Sequence, residues 1–164
     1  MNQPPTGEVP NRTNGVGPSQ RQGLSQRPSR PTASSTGARH TMQANRGKNT
    51  RPELRLRRLL REAGHPGYRL HWGKAAGHPD IAYPGRRVAI FVNGCFWHRC
   101  PHCGPPPPKA NAEFWAQKFL ATEARDARQI AALEAAGWTV VTVWECELRA
   151  EPERTVERIV SLLR

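Results

Sequence analysis

Residues 78–98 read HPDIAYPGRRVAIFVNGCFWH and contain two apolar runs, IAY and VAIFV, on either side of a Pro-Gly-Arg sequence. Proline followed by glycine is typical of a tight turn, so the two runs predict neighbouring strands. The second run is apolar throughout, as expected for a strand covered on both faces. This stretch therefore predicts the centre of a β-sheet, with a cysteine-rich loop directly after the central strand.

Helical patterns flank these two strands. Residues 51–63 carry leucines at helical spacing, and either Asn49 or Thr50 can cap this helix. Residues 112–136 carry a longer helical pattern that ends before Gly137. Each segment therefore predicts a helix.

The remaining segments complete the domain. Residues 65–72 predict a short strand, 138–145 a β-branched strand, and 152–164 a terminal helix. The order α, β, β-hairpin, loop, α, β, α predicts a mixed three-layer α/β domain.

The charge balance indicates the kind of partner. The chain has 164 residues, enough for one domain, and carries 25 Lys and Arg against 13 Asp and Glu, a net charge of +12. Such an excess favours a polyanion, most simply nucleic acid, with an anionic membrane surface as the weaker alternative. Neither a signal pattern at the N-terminus nor an apolar run of roughly 18 residues is present, so we expect a soluble, cytoplasmic protein.

The first part of the chain differs in composition from the rest. Residues 1–45 are rich in Pro, Gly, Ser, Gln and Arg, and every aromatic residue lies at or after Tyr68. We expect 1–45 to be a disordered basic tail whose arginines add phosphate contacts, and 46–164 to be the folded domain.

Cys95, Cys100 and Cys103 form a C-x4-C-x2-C pattern, and Cys146 follows near the end of the last predicted strand. Four thiolates in one tetrahedron are a common structural zinc site. His102 lies inside the Cys-x-x-Cys knuckle and could replace Cys100 or Cys103, although four cysteines are the simpler set. The pattern therefore predicts a structural zinc that holds the loop.

Candidate residues for hydrolysis of a phosphodiester are carboxylates and histidines. Asp80 precedes a strand, and a carboxylate at a strand end suits Mg²⁺. Glu53, His98 and Asp126 are further candidates. Each has a plainer alternative: a turn residue at Asp80, a helix-dipole partner at Glu53, a loop histidine or zinc ligand at His98, and a charged surface at Asp126.

Three aromatic residues lie around the cysteine-rich loop and the start of the long helix. Phe96 and Trp97 follow the first cysteine, and Trp115 begins the helix. They could pack into the interior, or they could wedge between bases of a nucleic acid. The sequence leaves both readings open.

Six blocks together resemble the very short patch repair (Vsr) DNA mismatch endonucleases, in the family's order. They are TRPELRLRRLL, HPDIAY, AIFVNGCFWHRC, EFWAQK, RDARQIAALEAAGW and VVTVWECEL, within Met42 to Leu148. The resemblance implies a restriction-endonuclease-like fold of the PD-(D/E)xK type with a structural zinc. It also implies Mg²⁺-dependent nicking of double-stranded DNA 5′ to the thymine of a T:G mismatch, which arises when 5-methylcytosine deaminates.

The resemblance also implies roles for individual residues. Asp80 resembles the aspartate that binds Mg²⁺, with the Val92 carbonyl as second ligand, and His98 resembles the histidine that activates water. Glu53 and Asp126 would act through metal-bound waters. The zinc ligands would be Cys95, Cys100, Cys103 and Cys146, and the intercalating residues would be Phe96, Trp97, Trp115 and Met42.

Asn93 departs from the family pattern. Members commonly read HGCFWH, whereas this chain reads NGCFWH. Asparagine can donate a hydrogen bond to a phosphate oxygen, but it cannot deliver a proton to a leaving group. If the family's histidine at this position has an electrostatic or positional role, we expect activity to survive with Asn93. If that histidine acts as an acid, we expect the rate to fall by a factor on the order of 10² or more.

Two other functions therefore stay open beside a nicking enzyme. One is a zinc-stabilised DNA-binding module with lost or reduced nuclease activity, to which Asn93 points. The other is a nucleic-acid-binding adaptor in which residues 1–45 supply most of the affinity. Because nicking one strand needs one active site, we expect a monomer, associated with the nucleoid when bound to DNA.

Overall fold

Four strands form one mixed sheet in the computed structural model, which describes residues 47–164. The strands are β1 (Arg69–Leu70), β2 (Ile81–Tyr83), β3 (Val88–Asn93) and β4 (Thr139–Trp144), in that order across the sheet. β2 pairs antiparallel with β1 and with β3, whereas β3 and β4 are parallel. The predicted mixed sheet is confirmed, with β3 in its interior.

The turn between β2 and β3 follows the predicted Pro-Gly-Arg sequence. Pro84–Arg86 form one turn of 3₁₀ helix, and Arg87 closes it in the left-handed region with φ of +50°. The hairpin register pairs Ile81 with Ile90. A consequence for function is that Asp80, just before β2, lies next to the end of β3.

Four helices surround the sheet: α1 (Arg51–Glu62), α2 (Ala112–Ala135), α3 (Glu145–Ala150) and α4 (Pro152–Ser161). The prediction of a strand through residue 145 was wrong at its end, because β4 stops at Trp144 and α3 begins immediately. The Glu147 carboxylate accepts a hydrogen bond from the Trp144 backbone N–H at 3.3 Å and caps this helix. Cys146 therefore lies in the first turn of a helix and not at the end of a strand.

The first turn of α1 is held by a capping box. The Thr50 hydroxyl accepts from the Glu53 backbone N–H at 3.4 Å, and the Glu53 carboxylate accepts from the Thr50 backbone N–H at 3.3 Å. Thr50, and not Asn49, is thus the capping residue. This arrangement fixes the position of the Glu53 side chain at the helix start.

The main core lies on one face of the sheet, against α1, α3 and α4. Its buried members are Leu56, Leu60, Ile81, Tyr83, Val88, Ile90, Val92, Val141, Val143, Leu148, Val156, Ile159 and Leu163. Side chains alternate along a strand, so Ala89 and Phe91 face the opposite side. The long helix α2 contacts β4 and buries Leu133 outside this cluster. The predicted three layers are therefore present.

Within residues 47–164, no helix combines the length and the apolar character that crossing a membrane requires.

Candidate active site

A cleft of about 660 Å³ opens where β3 ends, between α1, the residues before β2, and α2. The structure brings together here all six residues that the sequence suggested for catalysis or Mg²⁺ binding. They are Glu53, Asp80, Val92, Asn93, His98 and Asp126. They come from α1, the start of β2, the end of β3, the following loop and α2, which are distant along the chain.

Asp80 is held at the edge of the sheet by the backbone of β3. Its Oδ2 accepts a hydrogen bond from the Val92 N–H at 2.8 Å, and its side chain is 20% exposed. Burial raises the pKa of Asp80 to about 6, although the Val92 hydrogen bond opposes this shift. A partly buried carboxylate that is costly to ionise gains from a bound cation.

Glu53 and Arg57 form a buried ion pair on α1, one turn apart. Arg57 Nη2 lies 2.7 Å from Glu53 Oε2, and the two side chains are 4% and 3% exposed. The Asn49 backbone N–H donates to the same carboxylate at 3.0 Å, and Arg57 also donates to the Asn49 side chain at 2.6 Å. Glu53 therefore caps the first turn of α1 and also lines the cleft.

His71 belongs to the same cluster, although sequence reasoning missed it. Its Nε2 lies 3.7 Å from Glu53 Oε2, and its Nδ1 lies 3.7 Å from Asp80 Oδ1. Burial lowers the pKa of His71; the Glu53 charge raises it, and Arg57 lowers it further. The structure reveals His71 through strand register: because Leu70 pairs with Ile81, the residue that follows β1 lies opposite Asp80.

His98 and Asp126 form a second pair across the cleft. His98 Nδ1 lies 2.5 Å from Asp126 Oδ2, and Arg125 Nη2 donates to Asp126 Oδ1 at 2.8 Å. Burial raises the pKa of Asp126, but the hydrogen bonds from His98 and Arg125 outweigh it, so the pKa lies below its ordinary value. Asp126 thus contacts His98 and not the Glu53, His71 and Asp80 group. This leaves His98 Nε2 available to accept a proton.

Phe96, Trp97, Trp115 and Phe119 pack as an aromatic cluster beside the cleft. The Phe96 ring centroid lies 5.1 Å from that of Trp97 and 5.4 Å from that of Trp115. Trp115 is buried at 9% exposure, whereas Phe96 and Trp97 are half-buried. Trp115 therefore packs inward in this state. Met42, the fourth expected intercalating residue, lies outside the described residues, as does the tail 1–45.

The four cysteines come together and are not disulfide-bonded. Their four sulfur atoms all lie within 4.8 Å of one another, and the Sγ atoms of Cys100 and Cys146 are 3.5 Å apart. The group consists of Cys95, Cys100, Cys103 and Cys146. A tetrahedral zinc with Zn–S bonds of about 2.3 Å places its sulfurs about 3.8 Å apart. The set therefore fits such an ion. His102 is exposed and is not part of the group.

A carboxylate at the end of a strand, a histidine–aspartate pair and a net charge of +12 are together typical of a nuclease. The family model described as "DNA mismatch endonuclease Vsr" matches residues 34–103. The chain belongs to the Vsr family of DNA mismatch endonucleases.

Three relatives show how far the similarity extends. The type II nicking enzyme V.XorIIP of Xanthomonas oryzae pv. oryzae is 47% identical over 67% of this chain and 80% of its own. The type II nicking enzyme V.NaeI of Lentzea aerocolonigenes is 38% identical over 81% of this chain and 80% of its own. The DNA mismatch endonuclease Vsr of Escherichia coli is 37% identical over 74% of this chain and 78% of its own.

Proposed function

We propose that this protein nicks one strand of double-stranded DNA 5′ to the thymine of a T:G mismatch, by Mg²⁺-dependent hydrolysis on a restriction-endonuclease-like fold. The observation that carries the proposal is the cleft in which Asp80 and the His98–Asp126 pair share one space. The relative from Escherichia coli, named a DNA mismatch endonuclease, supports the choice of substrate. Since the substrate is genomic DNA, we place the protein in the cytoplasm, at the nucleoid.

Asp80 and Val92 are the proposed Mg²⁺ ligands. The Val92 N–H donates to Asp80 Oδ2, and the N–H and C=O of one strand residue point to the same side, so the Val92 carbonyl also faces Asp80. Mg²⁺ prefers oxygen ligands of this kind and keeps several waters, which Glu53 can orient. When bound there, the ion would polarise the scissile phosphate and stabilise charge on the leaving 3′ oxygen.

His98 is the proposed general base. With Nδ1 held by the Asp126 carboxylate, Nε2 accepts the proton of the attacking water. Asp126 orients the ring and stabilises the imidazolium that forms. The products would be a 5′-phosphate and a 3′-hydroxyl.

A structural zinc at the four cysteines would hold this base in place. Cys95 and Cys100 flank Phe96, Trp97 and His98, and Cys146 anchors the group to α3. Zinc held by these four cysteines would close the loop and would take no part in hydrolysis. The same loop then carries both the base and two aromatic side chains.

The DNA contacts follow from charge and from the aromatic cluster. Phe96 and Trp97 are half-buried and are the proposed wedge beside the mismatch, with Trp115 and Met42 as further members. For Trp115, intercalation requires the aromatic cluster to repack, because its side chain is buried here. A single cleft serves a single nick, so the proposed active unit is a monomer.

The test is a nicking assay on an end-labelled duplex with one T:G mismatch. We expect one strand to be cut beside the mismatched thymine with Mg²⁺, and neither cutting with a chelator nor cutting of a matched duplex. Asp80→Ala and His98→Ala should abolish nicking while mismatch binding largely persists, because neither change removes the wedge. Full activity in either variant contradicts the assigned roles.

A second candidate, a DNA-binding module with lost or reduced nuclease activity, is favoured by one observation. Asn93 lines the cleft at the end of β3, where it cannot supply a proton to the leaving oxygen. Mismatch binding without nicking would support this candidate. Nicking restored by Asn93→His would then identify position 93 as the cause.

A further inference from the structure

His71 lies between two carboxylates of the cleft, yet the proposed mechanism gives it no task. Its ring nitrogens face Glu53 Oε2 and Asp80 Oδ1, each at 3.7 Å, and its side chain is 16% exposed. An imidazole in such a place could ligate the metal directly, or it could orient another ligand. Its hydrogen-bonding partners distinguish these two roles.

Arg57 determines which nitrogen of His71 carries the proton. Arg57 Nη2 lies 3.2 Å from His71 Nε2. A guanidinium has only donor groups, so Nε2 must offer its lone pair to Arg57. In the neutral ring the proton is then on Nδ1, and the Nδ1–H faces Asp80 Oδ1.

This assignment argues against His71 as a metal ligand, although its position suits one. Ligand atoms of Glu53, His71 and Asp80 lie within 4.8 Å of one another, close enough to surround a cation. A ligating imidazole needs a free lone pair, but that of Nε2 is used by Arg57 and Nδ1 carries hydrogen. The guanidinium charge beside Nε2 would also repel a cation there.

The backbone fixes His71 relative to Asp80. The His71 N–H donates to the Asp80 carbonyl at 3.2 Å, and His71 leaves β1 in the left-handed region with φ of +44°. The main chain therefore places His71 directly beside Asp80, and the ring nitrogens then lie 3.7 Å from the Asp80 and Glu53 carboxylates.

We propose that His71 is a positioning residue for Asp80, whose Oδ1 it holds through Nδ1–H while the Val92 N–H holds Oδ2. Each carboxylate oxygen has two lone pairs, so one on each stays free for a cation. The distance of 3.7 Å between His71 Nδ1 and Asp80 Oδ1 is longer than a formed hydrogen bond, and we expect it to shorten when Asp80 holds a cation. The inference rests on the proposed function in taking Asp80 as the metal ligand.

Binding of Mn²⁺ to the full-length protein without DNA tests this role, because Mn²⁺ suits the same oxygen ligands. Calorimetry should show about tenfold weaker binding in His71→Ala, the usual cost of losing a hydrogen bond to a charged group. His71→Gln should bind within about threefold of the parent, because its amide oxygen accepts from Arg57 and its NH₂ donates to Asp80. His65→Ala, a histidine outside the cleft, is the control and should bind as the parent does.

The nicking assay adds a second readout. His71→Ala should require about tenfold more Mg²⁺ for half-maximal nicking, with the rate at saturating Mg²⁺ little changed. A structural defect would lower the saturating rate instead, and a thermal melt of each variant separates that case.

Two results would overturn the role of His71. Unchanged Mn²⁺ affinity in His71→Ala shows that Asp80 needs no positioning, and equal losses in His71→Gln and His71→Ala show that the ring nitrogen is itself a ligand. Asp80→Ala separates the underlying proposal. If it binds Mn²⁺ as the parent does, the metal lies elsewhere and the proposed function fails, whatever His71 does.

Discussion

Asp80 is the central residue of the proposed Mg²⁺ site. One carboxylate oxygen is fixed by the Val92 N–H, the other faces His71, and burial raises its pKa to about 6. The surrounding protein thus makes the ionised form costly, so a cation can repay that cost by binding there. The metal affinity of the cleft should therefore depend on pH through this one group.

We expect Mn²⁺ affinity to fall about tenfold for each pH unit below the Asp80 pKa of about 6. Without metal, the contribution of Asp80 to the free energy of unfolding has the opposite pH dependence: it falls as pH rises. Since the pKa lies above its ordinary 3.8, the native state keeps a proton that the unfolded chain releases. This carboxyl therefore contributes most at acid pH, and its contribution to the free energy of unfolding is lost as pH rises through about 6.

Calorimetric Mn²⁺ titrations across this pH range provide the measurement. Asp80→Asn is the control, because its amide keeps the shape but cannot ionise, and its weak binding should vary little with pH. An affinity in the parent that stays constant across pH 6 would contradict the role of Asp80 as the ligand that titrates.

Asp80, His98 and His71 differ in how far the sequence reveals them. Asp80 and His98 can be found in the sequence because a carboxylate before a strand and a histidine in the loop after the central strand suit phosphodiester hydrolysis, and because the family pattern surrounds both. His71 belongs to no such pattern, and its value comes from a strand pairing that places Leu70 opposite Ile81. A two-residue strand such as β1 has no reliable register in a sequence, so His71 became visible only in the fold.

Among the secondary-structure elements, helix α1 contributes both to the hydrophobic core and to the cleft. The leucines of α1 pack into the core, while Glu53 and Arg57 form a buried pair that reaches His71. Arg57 Nε has no hydrogen-bond partner within the described residues. The pair is thus tightly constrained, and removing one member leaves the other charge buried.

We expect Arg57→Met to lower the free energy of unfolding by about 3–5 kcal/mol, the cost of leaving a buried carboxylate unpaired. Urea denaturation at neutral pH measures it. Arg58→Met is the matched control, since Arg58 and Glu62 also form an i,i+4 pair but are 69% and 61% exposed. Its cost should stay under about 0.5 kcal/mol, and equal effects of the two substitutions would contradict the account.

Helix α3 shows the limit of reading elements from the sequence. The β-branched run before it predicted a strand through residue 145, but Glu147 caps a helix that starts there. A six-residue helix has too few turns to show helical periodicity. Its effect is large, because it places Cys146 among the other three cysteines.

At the scale of the whole molecule, the cysteine group joins parts of the fold that contribute to different layers. Cys95, Cys100 and Cys103 lie in the loop after β3, and Cys146 lies in α3 after β4. The Cys146 N–H also donates to Cys95 Sγ at 3.3 Å. A zinc ion at this point would fix the loop that carries His98 against the sheet.

Elemental analysis of natively purified protein should therefore find about one zinc per chain. Cys146→Ser should lose the metal and lower Tm by about 10 °C, because structural zinc contributes directly to folding free energy. His102→Ala is the control and should keep both metal and Tm, since His102 is exposed and outside the group. A metal content near zero in the parent would remove the zinc assignment.

The central hairpin, the long helices, the cysteine set and most of the cleft residues can be predicted from the amino-acid sequence. This is possible because strand and helix periodicity, turn residues and short motifs act over a few neighbouring positions. Asp80, Val92, Asn93 and His98 all lie within residues 78–98, the stretch that contains the two central strands.

Three contacts in and beside the cleft are visible only in the folded protein. The fold places Asp126 against His98, turns Trp115 inward, and brings His71 between Glu53 and Asp80. Each depends on how strands align and how helices pack across the sheet, which no local run of residues specifies. Short motifs therefore identify the residue types of the cleft, whereas strand register and helix packing set the distances between them.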